Sequence, residues 1–447
     1  MASTTGSHTL YNAYEFLRAP GQFYFDKTAG TLYYYPRAGE SMTTADVEAP
    51  VIETIVAIAG ASNANRVKNL TFQGLTFANT DYGLYTIAGS HGKATVQGAT
   101  VFIAYGDGNW HNSKYEITDT LPGMLMVNNA DAISFVGNTI KHSGSEGLSM
   151  INDVVNSTIV GNYITDIAGS GITAFFVSGL SITNNTIDKT AYNGINLGWG
   201  WQNFKDSTTC KNNAVNNNRF VDTLNRLHDS GAVYTLGQMP GTTINGNYVK
   251  GIPAATSGPT YGLHNDEGSA YITENDNVLD IDPGVKYTIN CEDFGAKHDL
   301  TIRRTYATVS KMGVNPPNST IDPPVAVADN VWAAAQYATC LSSEIQDAYR
   351  TILPAALVST PNYVFPASCA LAKGTASIGI RSSGSASDTV WFAPAGTTTF
   401  AAGATMTKAA GTATSIAVPT TAGNYKLHVV DAQGTKVGES AALLRVN

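Results

Sequence analysis

The chain has 447 residues, of which 43% are hydrophobic and 13% are charged, and its formal net charge is −8. The charged share is about half that of an average globular protein, and 43 glycines with abundant Asn, Ser and Thr take its place. This composition is typical of β structure with many tight turns. The lack of basic runs and of apolar stretches of about 20 residues argues against nucleic acid or a membrane as partner.

The first 60 residues predict an N-terminal β segment that packs on the domain after it. The opening Met-Ala-Ser-Thr-Thr-Gly-Ser-His lacks the apolar core of a signal peptide. Four glycosylation sequons nevertheless favour a secreted or extracytoplasmic protein; they begin at Asn69, Asn156, Asn184 and Asn318. Four cysteines permit one or two disulfides, with Cys340–Cys369 the easier pairing, and their spacing does not predict a zinc site.

A repeated motif occupies residues 61–320: an apolar residue, two small or polar residues, Asn, a polar residue and another apolar residue. Its copies centre on Asn138, Asn162, Asn185, Asn218 and Asn247, with a degenerate copy at Asn275. A period in the twenties, made of short alternating strands, predicts a right-handed parallel β-helix. We expect the recurring Asn to occupy a turn with positive φ, which Asn tolerates, and its copies to stack and hydrogen-bond in a ladder.

Two further segments complete the prediction of an all-β chain. Residues 321–368 are expected to form a cap and linker, with short helices over 325–355 that end at Pro354. Residues 369–447 are rich in Ala, Thr, Gly and Ser with short alternating runs, which predicts a small accessory β-sandwich.

Departures from the Asn, Ser and Thr texture of the solenoid mark candidate functional residues. They occur in the segments 143–147, 192–201, 227–237 and 261–269. Acids with two Trp among glycines suit a sugar-binding groove, although each Trp could equally be an ordinary packed side chain. The expected substrate-binding residues are Trp199, Trp201, Asn193, Asn196, His228, Tyr234, His264 and Glu146.

Glycines that open equivalent strands give a trial register. Aligning Gly147, Gly171, Gly194, Gly231 and Gly262 places Leu148, Ile172, Ile195, Ala232 and Leu263 in an inward column. Asn196, Val233, His264 and Asp266 then point outward. This register puts Asp266 and Asp229 on one groove, within about two rungs of each other at ~4.8 Å per rung.

Two carboxyl groups on one groove are what glycosidic bond cleavage requires. One protonates the leaving oxygen, and the other attacks the anomeric carbon or activates water. Asp229 and Asp266 are therefore the predicted catalytic pair. Glu267 is the substitute, because the turn at Gly268 could rotate it into the groove. No metal or cofactor is predicted.

Four blocks of sequence resemble secreted right-handed β-helix glycoside hydrolases of family 141, with a more distant likeness to families 120 and 136. The blocks are Tyr11-Asn-Ala-Tyr-Glu-Phe followed by Gly30-Thr-Leu-Tyr-Tyr-Tyr-Pro36, then Tyr192 to Trp201, Asp229-Ser-Gly-Ala-Val-Tyr-Thr-Leu-Gly237 and Asn265-Asp-Glu-Gly-Ser269. The resemblance spans about residues 11–300. It implies that Asp229 and Asp266 are the catalytic pair, but it does not identify the substrate. We expect a plant, algal or microbial polysaccharide or oligosaccharide.

Two other functions remain open on the sequence. A polysaccharide lyase acting on a uronate polymer would need cations near the acids, from Lys, Arg or Ca²⁺. The candidate groove holds Arg226, and no Asp cluster has the spacing of a calcium site. A non-catalytic glycan-binding β-helix would have the same kinds of residue on its outer face in every rung, without one zone of acids and Trp. The sequence leaves the sugar, the linkage and the oligomeric state undetermined.

Overall fold

The computed structural model describes residues 13–26, 28–81, 121–198, 209–254, 258–292, 297–303, 305–309, 311–324, 364–366, 375–382, 384–440 and 444–446. The predicted helices over 325–355, Trp199, Trp201, Cys340 and Cys369 lie outside these residues. The chain divides into a unit of residues 1–51 and a unit of residues 52–447.

The described part of the first unit is small. A 3-10 turn, Tyr14–Phe16, precedes an antiparallel pair, β1 Phe23–Asp26 and β2 Thr31–Tyr34. Tyr14 contacts Tyr24 and Tyr33 edge to face, at centroid distances of 5.9 and 5.1 Å. The expectation that residues 1–60 pack on the solenoid stays a prediction.

The second unit begins with a right-handed parallel β-helix. Its strands in the first half are β3 Val56–Ala59, β4 Val67–Lys68, β5 Thr71–Gln73, β6 Thr76–Ala78, β7 Gly123–Asp131, β8 Ser134–Val136, β9 Thr139–Ser143, β10 Glu146–Val155, β11 Thr158–Val160, β12 Tyr163–Ile167, β13 Ile172–Ser178, β14 Ser181–Thr183 and β15 Thr186–Thr190. Those in the second half are β16 Ile195–Gly198, β17 Ala214–Asn216, β18 Arg219–Val221, β19 Val233–Leu236, β20 Gln238–Thr243, β21 Tyr248–Lys250, β22 Tyr261–Asn265, β23 Ala270–Asn275, β24 Val278–Asp280, β25 Tyr287–Asn290, β26 Thr301–Arg303, β27 Tyr306–Ala307 and β28 Thr320–Ile321.

These strands form three parallel sheets, one per side of the coil. Sheet 1 runs β3-β7-β10-β13-β16-β19-β22-β25, with β4 also on β7. Sheet 2 runs β5-β8-β11-β14-β17-β20-β23-β26-β28, and sheet 3 runs β6-β9-β12-β15-β18-β21-β24-β27. Alternate side chains point inward, and the apolar residues of the motif copies are buried in one continuous core. The predicted fold class is confirmed.

A small antiparallel β domain follows near the C-terminus. Its strands are β29 Val364–Pro366, β30 Ser377–Ser382, β31 Thr389–Pro394, β32 Thr407–Ala410, β33 Ser415–Ala417, β34 Gly423–Val430, β35 Lys436–Glu439 and β36 Leu444–Val446. They make two sheets over a separate core that includes Phe392 and Leu427. The boundaries at 320, 368 and 369 stay predictions.

The predicted asparagine ladder is present. In each rung the backbone N–H and the side-chain Nδ2 of one Asn both donate to Oδ1 of the Asn in the next rung. For Asn162 onto Asn185 both distances are 2.9 Å. Nδ2 also donates to a backbone carbonyl of the rung before, as Asn185 does to Ile159 at 2.9 Å. The ladder runs through Asn138, Asn162, Asn185, Asn218, Asn247 and Asn277.

Two details of the ladder prediction were wrong. The last copy is Asn277, two residues beyond the predicted Asn275. The ladder Asn is also not the left-handed residue, since positive φ belongs to the residue before it, such as Gly161 at 66° and Asn184 at 57°. The left-handed residue turns the chain, and the ladder Asn then points its amide into the coil.

A polar cluster lies inside the coil beneath the end of β22. Asn265 accepts from the Thr235 hydroxyl at 2.9 Å, and its Nδ2 lies 3.8 Å from the sulfur of Cys291. The Glu274 carboxyl is fully buried beside Asn265, and burial raises its pKa to about 7 despite a hydrogen bond from that amide. Cys291 and Cys210 are buried thiols and are not disulfide partners.

We expect Asn185→Ala to destabilise the chain by about 2–4 kcal/mol, because it removes one acceptor and strands buried donors on Asn162. Denaturant unfolding would measure the loss. Asn225→Ala is the matched control: Asn225 is exposed, and its change should stay within about 0.5 kcal/mol. Equal effects of the two variants would contradict a structural role for the ladder.

Glu274→Gln should alter the pH dependence of stability. The Glu274 carboxyl has a folded-state pKa of about 7, against an ordinary value of 4.5. Wild-type stability is therefore highest below pH 4.5, where the carboxyl is protonated in both states. It falls as the pH rises from 4.5 to 7, because the unfolded carboxyl ionises there while the folded one stays protonated. The variant should match wild-type stability near pH 4.5 and exceed it at pH 8 by up to about 3 kcal/mol. Thermal unfolding at both pH values tests this, with Glu15→Gln, on the exposed 3-10 turn, as the control. A variant less stable than wild-type at pH 8 would refute it.

Candidate active site

The candidate site lies on the outer face of sheet 1. Strand pairing puts Leu148, Ile172, Ile195, Val233, Leu263 and Ile289 in one inward column. The next residues, Ser149, Thr173, Asn196, Tyr234, His264 and Asn290, form the outward column.

The trial register was wrong in one rung. Val233, not Ala232, pairs with Ile195, so Val233 points into the core and Tyr234 points outward. The carbonyl of Ala232 accepts from the N–H groups of both Gly194 and Ile195, each at 3.0 Å, which accommodates one additional residue before β19.

Asp266 follows β22 at a turn closed by a hydrogen bond from the Ser269 N–H to the Asp266 carbonyl. Its Oδ2 accepts from the Tyr234 hydroxyl at 2.6 Å, and its Oδ1 lies 3.6 Å from His264 Nε2. Burial alone would raise the pKa of this carboxyl. His264, the hydrogen bonds and Lys297 outweigh burial and lower the pKa to about 2. Asp266 is therefore ionised over the whole physiological range.

Asp229 precedes β19 at a corner, with a left-handed φ of 58°. Its N–H donates to Pro259 of the next rung at 2.6 Å, and its carbonyl accepts from the Tyr192 hydroxyl at 3.1 Å. Asp229 thus lies one rung from Asp266 as expected. It is placed where the strand enters the sheet, whereas Asp266 is placed where the strand leaves.

Three buried or partly buried tyrosines are near both aspartates. Burial raises the pKa of Tyr192, Tyr234 and Tyr261, and the charges of both Asp229 and Asp266 add to the rise in each case. His264 packs between two of them, at centroid distances of 5.0 Å to Tyr234 and 4.3 Å to Tyr261. The two carboxyl groups therefore act on one shared set of rings.

Glu146, Asn193 and Asn196 belong to a buried polar network in the preceding rungs. Glu146 accepts from the Ser170 N–H at 2.9 Å and from the Thr173 hydroxyl at 2.8 Å, and burial raises its pKa to about 7. Asn193 donates to Asn196 at 2.5 Å, and Asn196 donates to Ser170 at 3.1 Å. The three predicted binding residues are buried, so this structure gives them no surface for direct contact with a sugar.

Lys297 is a residue that the sequence analysis missed. It is almost completely buried, and its Nζ donates to the Glu292 carbonyl. Burial lowers its pKa, while Asp266, Glu267 and Glu292 oppose that change. Glu292 lies one rung beyond Asp266, because β22 and β25 pair His264 with Asn290. The segment Ala296-Lys-His-Asp299 carries no motif, so only the coil brings Lys297 to the acids.

Glu267 and His228 are the remaining predicted site residues that the structure describes. Glu267 is half-buried, and its carbonyl accepts from the Gly237 N–H at 3.0 Å. The His228 ring packs on Gly258 so closely that a Cβ there would collide with it. Within the described ranges, no group of three His, Cys, Asp or Glu side chains could hold a metal ion, and no helix is long and apolar enough to cross a membrane.

Comparison with known proteins supports the fold. The family model described as "Right handed beta helix region" matches residues 100–278. A solved structure titled "Glycoside hydrolase" superposes with a TM-score of 0.51 at 22% sequence identity and covers 75% of this chain. The match covers 61% of that protein, so this chain spans less than two thirds of its length.

A second solved structure, the surface adhesin PfbA of Streptococcus pneumoniae, has a TM-score of 0.26 at 12% identity. The match covers 60% of this chain and 75% of the adhesin chain, and a TM-score this low has no bearing on the fold or function of this chain. None of the curated proteins matches this chain.

Lys297→Met should raise the pKa of Asp266 by about one unit, because it removes a buried positive charge that favours the carboxylate. Carbon NMR of labelled aspartate carboxyl groups would follow the titration. Lys286→Met is the matched control, since Lys286 is a partly exposed lysine that pairs with Glu292 at 2.7 Å. An unchanged Asp266 pKa in Lys297→Met would contradict the arrangement.

Proposed function

We propose that this chain is a glycoside hydrolase that cleaves a carbohydrate on the outer face of sheet 1, with Asp229 and Asp266 as its carboxyl pair. The observation that carries the proposal is Asp266 itself. It is a carboxylate held ionised, with a pKa of about 2, against a wall of tyrosine and histidine rings. The solved structure titled "Glycoside hydrolase", which superposes with a TM-score of 0.51, supports the same reaction class.

Asp266 suits the role of nucleophile or general base. Such a group must be deprotonated before it attacks the anomeric carbon or takes a proton from water. The Tyr234 hydroxyl binds Oδ2 and His264 lies beside Oδ1, so the carboxylate is oriented as well as charged. Lys297, through its charge, would keep Asp266 ionised without touching the sugar.

Asp229 suits the role of general acid better than Glu146 does. Glu146 opens β10, four strands of sheet 1 away from β22, which corresponds to about 19 Å of backbone. The side chain of Glu146 hydrogen-bonds to Ser170 and Thr173 and does not bridge that distance. Asp229 is half-buried, one rung from Asp266, and shares its tyrosines.

Glu146, Asn193 and Asn196 would then support the site from beneath. Their network reaches Ser230, the residue after Asp229, through a 3.1 Å hydrogen bond from Asn193. We assign them a positioning role. Tyr234 and His264 are just as buried and hold the Asp266 carboxylate, so their contact with a carbohydrate stays a prediction. The predicted contacts of Trp199 and Trp201 remain part of the proposal.

One observation favours a second candidate, a polysaccharide lyase. Elimination needs a cation to neutralise the uronate carboxyl group and a base to remove the adjacent proton. Lys297 is a buried lysine with a lowered pKa beside Asp266. The three neighbouring carboxylates, from Asp266, Glu267 and Glu292, oppose binding of a uronate there, so hydrolysis is the better supported reaction.

Product analysis on a panel of polysaccharides tests the proposal. New reducing ends without an ultraviolet-absorbing unsaturated sugar indicate a hydrolase, and an unsaturated product indicates a lyase. Retention of a polysaccharide without any product indicates a glycan-binding β-helix.

Asp229→Asn and Asp266→Asn should each reduce kcat by about 10²–10⁴-fold, because each keeps the side-chain size and removes the acid or the nucleophile. Asp276→Asn is the matched control: Asp276 is exposed at a left-handed corner that Asn tolerates, so its kcat should not change. Circular dichroism would show that all three variants fold. Near-normal turnover in both folded active-site variants would rule out this pair.

A further inference from the structure

An exposed tyrosine lies just past the corner that carries Asp266. Tyr271 belongs to β23 of sheet 2, and 42% of its side chain is exposed, whereas its neighbours Ala270 and Ile272 are buried. Its φ of 60° is a left-handed conformation that a bulky residue rarely adopts. Such an outlier persists only where the surrounding structure holds it, and it is a reason to look for function.

Neighbouring rungs hold the ring of Tyr271 in place. Its N–H donates to the Asp299 carbonyl at 3.1 Å. The His298 ring stands against it edge to face, at a centroid distance of 5.1 Å and an interplanar angle of 86°. The contact leaves part of the phenol ring open to solvent.

The polar groups beside Tyr271 are ordered in turn. His298 Nδ1 lies 2.5 Å from Asp299 Oδ2, so Nδ1 carries the proton that this contact needs. His298 Nε2 is then an acceptor, 3.5 Å from Nε2 of Gln238. This gives a row of oriented donors and acceptors at the edge of an aromatic ring.

This cluster is connected through the backbone to the turn at residues 266–269, which carries Asp266. The Ser269 N–H donates to Asp266, and the Ser269 carbonyl accepts from His298. Tyr271 is five residues from Asp266, so their Cα atoms are at most about 17 Å apart. A polymer bound at Asp266 can therefore continue over the corner onto sheet 2.

We propose that Tyr271, Gln238 and His298 form a second carbohydrate subsite, which binds a neutral pyranose ring of a polymer whose reacting bond lies at Asp266. The apolar face of the sugar packs on the exposed phenol ring. Its hydroxyl groups hydrogen-bond to the Gln238 amide and to the imidazole. This subsite rests on the proposed function for the identity of its ligand, and it is a binding site in its own right.

The test uses affinity electrophoresis in gels that contain xylan, β-glucan, mannan, pectin or alginate, with Asp266→Asn as the parent so that nothing is cleaved. We expect the parent to be retarded by at least one polysaccharide. Adding Tyr271→Asn should weaken that binding about tenfold, since Asn tolerates the left-handed backbone but lacks the ring. Adding Tyr271→Phe, which keeps the ring, is the matched control and should bind within about twofold of the parent.

The outcomes separate this subsite from the hydrolase proposal. If the wild-type releases no product but Tyr271→Asn still weakens binding, the hydrolase proposal fails and the subsite stands. If the wild-type is active, Tyr271→Asn should raise KM for the polymer and leave kcat and the KM for a disaccharide unchanged. Unchanged retardation of Tyr271→Asn, or no retardation of the parent by any of the five polysaccharides, overturns the subsite.

Discussion

The hydrogen bond from one ladder asparagine to the next is the constraint on which the rest of the molecule depends. Each amide oxygen accepts from a backbone N–H and a side-chain N–H of its neighbour, so a polar group inside the coil is satisfied only when every rung is in register. A strand shifted by one residue would leave these groups unpaired and turn its apolar side chains outward. The ladder thereby sets which residues of sheet 1 point away from the core, including Tyr234 and His264.

The surroundings of each acid, rather than its residue type, determine its pKa in this protein. Glu146 and Glu274 are buried with few compensating partners, and burial raises the pKa of each to about 7. Asp266 is nearly as buried, yet a tyrosine hydroxyl, His264 and Lys297 lower its pKa to about 2. At neutral pH, carboxyl groups of one coil therefore differ in charge because of the groups that surround them.

Left-handed turns explain the four glycosylation sequons, which the sequence analysis took to favour a secreted protein. The four asparagines of the sequons, Asn69, Asn156, Asn184 and Asn318, are exposed and have φ values of 50–60°. Asparagine is favoured at such corners because its short side chain tolerates that conformation. The turn geometry thus accounts for these asparagines without glycosylation, and an extracytoplasmic location remains a proposal that rests on the carbohydrate chemistry.

The sequence by itself determined the architecture and the ladder, because a motif repeated once per rung carries its own register. It also singled out Asp229 and Asp266, since acids at strand ends beside turn residues stand out against an Asn, Ser and Thr surface. It placed Val233 on the outer face, because the sequence alone does not reveal the one additional residue before β19. That residue is evident only in the structure, where two N–H groups of the neighbouring rung donate to the Ala232 carbonyl. Only the tertiary structure brought Lys297 to Asp266 and the His298 ring to Tyr271. These contacts depend on how successive rungs stack, and no local pattern around Lys297 or His298 encodes them.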